Sequence, residues 1–206
     1  LNEQPDIWCE RVFDPWTDMQ DKMREYGFPL TALESGDPIR MFDFVGFTLQ
    51  YEMSYTNVLN MLDLAHIPLR ASDREESDPI VIGGGPCAYN PEPMADFFDL
   101  FNIGEGEEML PEIVRLYIRM KDEGRYTRAA FLHEAARTIE GVYVPSLYRV
   151  TYHEDGTIEA YTPIYEDIPK QVRRRIIKNM DKSYFPEKPV MPYIETVHDR
   201  IMLEVF

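Results

Sequence analysis

Apolar positions in this chain fall into short continuous runs separated by stretches of helical periodicity. The plainest run is Pro79-Ile-Val-Ile82, bounded by Asp78 and Gly83. Apolar residues without alternation predict a strand covered on both faces. Gly83, Gly84 and Gly85 stand where that strand ends, followed by Pro86 and Cys87. Backbone without Cβ lets a ligand or another chain segment come close, and ligands of open α/β sheets sit at the carboxyl ends of the strands. This stretch therefore predicts the floor of a binding crevice.

The same pattern repeats around it. Residues 7–13, rich in aromatic and β-branched side chains, predict a strand; Asp14 as cap and Pro15 at the first position then predict a helix carrying Trp16, Met19, Met23 and Tyr26 and stopping at Gly27. Residues 30–33 predict a short strand and residues 34–38 a turn. A core strand over residues 42–49 is followed by a helix with Tyr55, Val58, Leu59, Leu62 and Ala65 on one face and Ser54 as its cap. Residues 71–78 read as a charged surface loop ahead of the glycine-ending strand.

After the stiff turn at residues 90–93, residues 100–103 predict a strand ending in Gly104-Glu-Gly-Glu107, and Leu110, Ile113, Val114, Tyr117 and Ile118 give the cleanest helical stripe, stopping by Gly124. A short helix is expected over residues 131–139. Strands alternating with helices indicate a parallel sheet with helices on both faces. The pattern changes at Gly141: residues 142–152 and 158–164 are strand-like, with Asp155-Gly156 as a hairpin turn. Residues 165–192 read as a linker whose basic run, Lys170 to Lys178, is a solvated helix or a dock for an acidic neighbour. Residues 200–206 resemble a strand whose sheet lies elsewhere.

Charge narrows the partners. Lys and Arg total 21 against 37 Asp and Glu, a field that repels phosphate backbones and makes nucleic acid an unlikely direct ligand. No apolar run is long enough to span a membrane, and two cysteines, Cys9 and Cys87, are too few and too far apart for a disulfide scaffold or a metal cage, which favours a reducing cytoplasm. Leu1 and Phe206 read as cut points rather than natural ends.

Chemistry-bearing residues are sparse. The glycines lack the G-x-G-x-x-G spacing of a dinucleotide site, and the plain alternative for them is a tight turn with close packing. Cys87 beside them is either a crevice thiolate or a small packing residue. Glu105, Glu107 and Glu108 suit a helix amino terminus; alternatively Gly104, Glu105 and Gly106 bend so that amides and a carboxylate face a ligand. His66, His133, His153 and His198 show no metal-ligand spacing, and Ser54 and Ser146 lack a nucleophile elbow.

Gly46-Phe-Thr-Leu49, Ile82-Gly-Gly-Gly-Pro86 and Ile103-Gly-Glu-Gly-Glu107, in this order, resemble the amino-terminal domain of cobalamin-binding-type radical S-adenosylmethionine proteins. Arg11-Val-Phe-Asp-Pro-Trp16, Pro145-Ser-Leu-Tyr148, Glu195-Thr-Val-His-Asp-Arg200 and Leu203-Glu-Val-Phe206 extend the likeness to nearly the whole chain. The resemblance implies a flavodoxin- or Rossmann-like α/β domain over residues 1–140, lacking its first strand, which would precede Leu1. Residues 141–206 would be a β-hairpin and linker to a catalytic barrel whose [4Fe-4S] cluster and S-adenosylmethionine have their ligands outside this chain, so that this piece alone is not catalytic.

In such domains a small hydroxyl residue and a glycine pair hold the nucleotide tail of cobalamin. Thr48 and Gly83-Gly84 match those roles; Gln50, Gly85, Gly104, Glu105 and Gly106 complete the candidate set. No D-x-H-x-x-G motif occurs, so cobalt ligation by a histidine of this chain is not expected. A missing first strand would leave sheet edges that pair or invite a homo-oligomer. The rival reading is a ligand-free module that caps the barrel and serves assembly. An independent nucleotide or phosphosugar enzyme is the weakest, since no phosphate loop, base or nucleophile stands out.

Overall fold

The computed structural model describes residues 1–184. The strand expected over residues 200–206, the motifs at residues 195–206 and His198 lie outside the described residues. In chain order the elements are α1 (Thr17–Tyr26), β1 (Phe44–Thr48), α2 (Tyr55–Leu64), β2 (Ile80–Gly84), β3 (Leu100–Asn102), α3 (Gly106–Asp122), α4 (Arg128–Thr138), β4 (Val142–Tyr143), β5 (Tyr148–Tyr152) and β6 (Ile158–Pro163). Strands β1 to β4 form one sheet in sequential order, with β1, β2 and β3 parallel and β4 antiparallel to β3; β5 and β6 form a separate antiparallel hairpin. The expected α/β class, parallel sheet and hairpin extension are all present.

β2 is the covered strand that its sequence predicts. Val81 packs with Val45, Leu62 and Phe101 on one face, while Ile80 and Ile82 pack with Leu100, Ile113 and Phe131 on the other. Helices α1 and α2 supply the first layer through Met23, Val58 and Leu62, and α3 and α4 the second through Met109, Ile113, Phe131 and Ala135. The stripe read on α3 is the one it buries, although Leu110 and Ile118 at its margin stay partly exposed.

Several expectations fail for local reasons. Residues 7–13 form no strand. Their polar groups are taken by the following turn, where Glu34 accepts from the Arg11 amide, Glu10 from the Ser35 amide and the Arg11 carbonyl from the Leu33 amide, while a cavity separates residues 10–13 from β1. Residues 30–33 contribute one bridge, Thr31 to Pro38. Neither expected cap works: α1 starts at Thr17 because the Asp14 carboxylate is held by Asn57 and Asn60, and the Ser54 hydroxyl donates to the Tyr51 carbonyl. Of the apolar stripe on α1 only Met23 is buried.

The stretch 142–152 is broken by a short turn at Pro145–Leu147, so its first part joins the main sheet and its second the hairpin. The change of pattern at Gly141 thus falls just before β4, the fourth strand of the sheet. α4 begins at Arg128, earlier than expected, capped by Thr127, whose hydroxyl accepts from the Ala130 amide. The basic run is extended, not helical, and it docks through Arg175 on Glu108 and Glu112 of α3, which raise the Arg175 pKa by their hydrogen bonds.

Below the amino-terminal ends of β2 and β3 lies a buried charge cluster. Asp99 receives Arg74 at 2.8 Å, Arg128 at 2.9 Å and the Val81 amide at 2.7 Å. Arg128 also donates to the carbonyls of Glu75, Asp78 and Pro79, and Arg74 to those of Pro68, Leu69 and Phe97. Burial pulls the Arg74 pKa down, and Asp99 opposes that shift. Asp99→Ala would strand two buried guanidiniums, so a loss of about 3–5 kcal/mol is expected in urea unfolding followed by circular dichroism; a loss under about 1 kcal/mol would rule out this anchoring role.

The hairpin is tied to the sheet by tyrosines. Tyr143 donates to Glu92 at 2.6 Å and pairs with the Tyr161 hydroxyl, and Tyr148 and Tyr161 stack at 5.3 Å. Burial is the main cause that pushes Tyr161 up to about 12, and it raises Tyr143 as well. A tyrosine in the unfolded chain titrates near 10, so the folded state holds these protons over the interval above it. The contribution is full below about pH 10 and is lost as pH rises through about 12. The urea midpoint is therefore expected to fall between about pH 10 and 12 in step with phenolate absorbance, and Tyr161→Phe to blunt that fall.

Candidate functional site

A cavity of about 740 Å³ opens on the α3 face of the sheet. Its walls include Trp8 and Phe44 on one side and Leu110, Val114 and Ile118 on the other. Its floor reaches the carboxyl ends of three strands, where Thr48, Gly84, Gly85 and Asn102 come together. Parallel register puts them there: Thr48 pairs with Gly84, and a Cβ on Gly84 would stand 3.7 Å from the Asn102 Cβ.

Of the predicted residues, Thr48, Gly84 and Gly85 line this cavity. Gly85 has φ +92° and sits against the Leu49 backbone, where a Cβ would lie 3.1 Å from both N and O, so the turn requires glycine. Gly83 faces the opposite layer: a Cβ there would come within 2.7 Å of the Phe101 ring, which makes this glycine a packing requirement. Gln50 is exposed and is not part of the lining. Neither Tyr51, which is exposed, nor Phe47, whose ring packs edge-on against Phe98 in the opposite layer, plugs the floor. Cys87 is half-buried beside Tyr55 and Glu52, and burial raises its thiol, the reverse of a reactive thiolate.

The second glycine loop is taken by the chain itself. Gly104, at φ +116°, forms a parallel bridge with Arg175; the Glu105 amide donates to the Arg175 carbonyl, and the Glu105 carboxylate accepts from the Ile177 amide. The predicted set thus divides into Thr48, Gly84 and Gly85 on the cavity and Gly104 and Glu105 under the linker. Gly106 opens α3 with open space around it and is not among the lining residues.

Asn102 was not among the sequence candidates, and it is the most informative residue here. It is 8% exposed, and its Oδ1 is the buried side-chain polar atom without a hydrogen-bond partner among the described residues. A buried carbonyl without a donor costs stability, and native structures keep few of them. The signal was a lone amide in the apolar run Leu100-Phe-Asn-Ile103. Among the described residues no group of three or more metal-binding side chains converges.

A family model for the amino-terminal region of radical SAM proteins matches residues 1–145. The chain belongs to this family. An uncharacterized protein of Methanocaldococcus jannaschii is 33% identical over 98 residues, which are 45% of this chain and 20% of that protein. The chain therefore spans about a fifth of the length of this relative. No solved structure matches.

In this radical SAM amino-terminal domain the linker contact is testable. A Cβ at position 104 would lie 2.3 Å from the Arg175 carbonyl oxygen, so Gly104→Ala must displace residues 172–177. A cost of about 1–3 kcal/mol is expected, with rapid proteolytic cleavage within the basic run. Wild-type resistance to trypsin at Arg173 to Arg175 in the variant would show that the loop does not hold the linker.

Proposed function

We propose that this domain of a radical SAM protein binds a ligand in the crevice at the carboxyl ends of β1, β2 and β3 and presents it to the protein's catalytic barrel. The observation that carries this reading is Asn102, which lines the 740 Å³ cavity with Thr48, Gly84 and Gly85 and whose buried Oδ1 has no hydrogen-bond partner among the described residues. A buried acceptor without a protein donor calls for one, and a ligand N–H or O–H would supply it. The Thr48 hydroxyl offers a second polar contact, and the two glycines leave room for a flat or branched group.

Corrinoid is one ligand class the crevice suits in part. The amides around its rim and the tail meet donors and acceptors of the kind that Asn102 and Thr48 offer. No histidine is among the lining residues, so a corrinoid would be held here by its periphery and not through cobalt. A substrate of the barrel with amide or hydroxyl donors fits the same contacts. The [4Fe-4S] cluster and S-adenosylmethionine belong to the proposed barrel: two cysteines, Cys9 exposed and Cys87 half-buried, cannot supply a three-cysteine motif.

One observation favours the assembly reading as a second role. The Gly104 loop, instead of facing a ligand, fastens the linker that leads onward from the domain. Binding and assembly then use adjacent strand ends.

Asn102→Leu separates the roles. Removing a buried orphan carbonyl is expected to raise stability by about 1 kcal/mol, while ligand affinity falls about tenfold. Hydroxocobalamin, read by absorbance shift and comigration on gel filtration, is the first ligand to try. Ligand affinity unchanged by Asn102→Leu, for any ligand the protein is found to bind, would remove Asn102 from the site and with it the basis of this reading.

A further inference from the structure

The crevice at Asn102 is one end of a longer cavity, and the rest of the lining has a different chemistry. It includes the carboxylates of Asp6, Glu10, Asp37 and Asp43, while none of the described residues that line it is Lys, Arg or His. Two of the four are satisfied within the domain: Asp6 by Arg115, and Glu10 by the Trp8 indole and the Ser35 amide and hydroxyl. Asp37 and Asp43 form no ion pair among the described residues.

Asp43 is moreover held in position. The Tyr117 hydroxyl donates to its Oδ1 at 2.6 Å and its carbonyl accepts from the Ile80 amide at 2.9 Å, while Tyr117 is itself fixed edge-on against the rings of Phe44 and Phe131. The Asp43 Oδ2 accepts no hydrogen bond among the described residues. Phe42 and Phe44 flank Asp43 in sequence and line the cavity together with Trp8. Carboxylates and aromatic faces both attract an organic cation.

Acidic side chains alone attract solvent cations and do not make a site. The second observation is the amide at the far end of the same cavity: Asn102 is 8% exposed and its Oδ1 has no partner among the described residues. Strand β1 measures the interval between the two. Asp43 precedes it, Thr48 ends it in register with Gly84, and Gly84 lies beside Asn102. The steps from residue 43 to residue 48, at about 3.3 Å each, separate the two polar ends by about 16 Å along the sheet. Leu110, Val114 and Ile118 make the wall of α3 apolar.

We infer that the ligand of this cavity is an organic amine: an ammonium group received by Asp43 and Asp37, an apolar stem against Leu110, Val114 and Ile118, and a hydrogen-bond donor that reaches Asn102. The inference rests on the ligand reading of the crevice and adds the charge and the length of what binds. Both carboxylates are exposed, so a ligand that covers them must replace their hydration. An ammonium does so; an alkyl end does not, and a phosphate or carboxylate end would meet like charge with no cation to receive it. The formal net charge of −16 extends the same preference to long range. Of the two ligand classes considered above, a substrate bearing an amine suits the whole cavity better than a corrinoid, whose amides match only the Asn102 end.

Three probes that share a primary amide and a straight stem test this in the full-length protein by titration calorimetry: ω-aminooctanamide, octanamide and octanedioic acid monoamide, which end in an ammonium, a methyl and a carboxylate. The ammonium probe is expected to bind at least about tenfold more tightly than octanamide, and the carboxylate probe more weakly than either. Asp43→Asn keeps an acceptor for Tyr117 and is expected to erase the preference for the ammonium while leaving octanamide unchanged. Glu159→Gln removes the same charge from exposed β6 and is expected to leave the preference intact; its loss in both variants would overturn the inference in favour of general attraction to an acidic protein. No binding of the ammonium probe, equal affinity for the three, or a preference that survives Asp43→Asn would also overturn it. Failure of the amine alone is recognised because Asn102→Leu still weakens all probes that bind; affinities untouched by Asn102→Leu would overturn the ligand reading as well.

Discussion

The carboxylate of Asp99 is the constraint on which the rest depends. It joins four elements that sequence keeps apart: the Arg74 loop, the start of β2 through Val81, the start of β3 and the first turn of α4 through Arg128. A buried pair of this kind is weak evidence of stability by itself, because desolvation offsets much of its attraction. Here the remaining donors are spent on six backbone carbonyls of the loops around the cluster. The cluster thereby fixes where β2 and β3 begin. Their register, and so the meeting of Gly84 with Asn102 at the other end, follows from that origin.

This division of labour explains the polarity of the domain. Charges bind the amino-terminal ends of the strands, and glycines loosen the carboxyl-terminal ends. Gly83 belongs to neither group, since the Phe101 ring lies where its side chain would be. Three adjacent glycines thus serve three ends: aromatic packing, an open floor and a turn against Leu49. No reading of the triplet as a single motif would separate them.

Periodicity made β1, β2, β3 and the helices after them legible, because each buries a face or a run that only one kind of element can bury. The fold class, the hairpin at Asp155-Gly156 and the crevice at the glycines follow from that alone. What escaped depends on neighbours. Residues 7–13 have the composition of a strand and no partner beside them, and Asp14 and Ser54 have the chemistry of caps but bond elsewhere. Gly104 and Glu105 looked like a ligand loop because nothing in the local sequence reveals that Arg175 and Ile177 will occupy it. Asn102 was passed over since one amide in an apolar run is unremarkable until its burial is known.

The α3 face of the sheet carries the larger cavity, from Phe44 up to Asn102. On the ligand reading proposed above, selectivity rests with an acceptor at Asn102, a hydroxyl at Thr48, and two positions where the chain has no side chain to offer. On that reading a ligand is recognised by its hydrogen-bond donors and its shape.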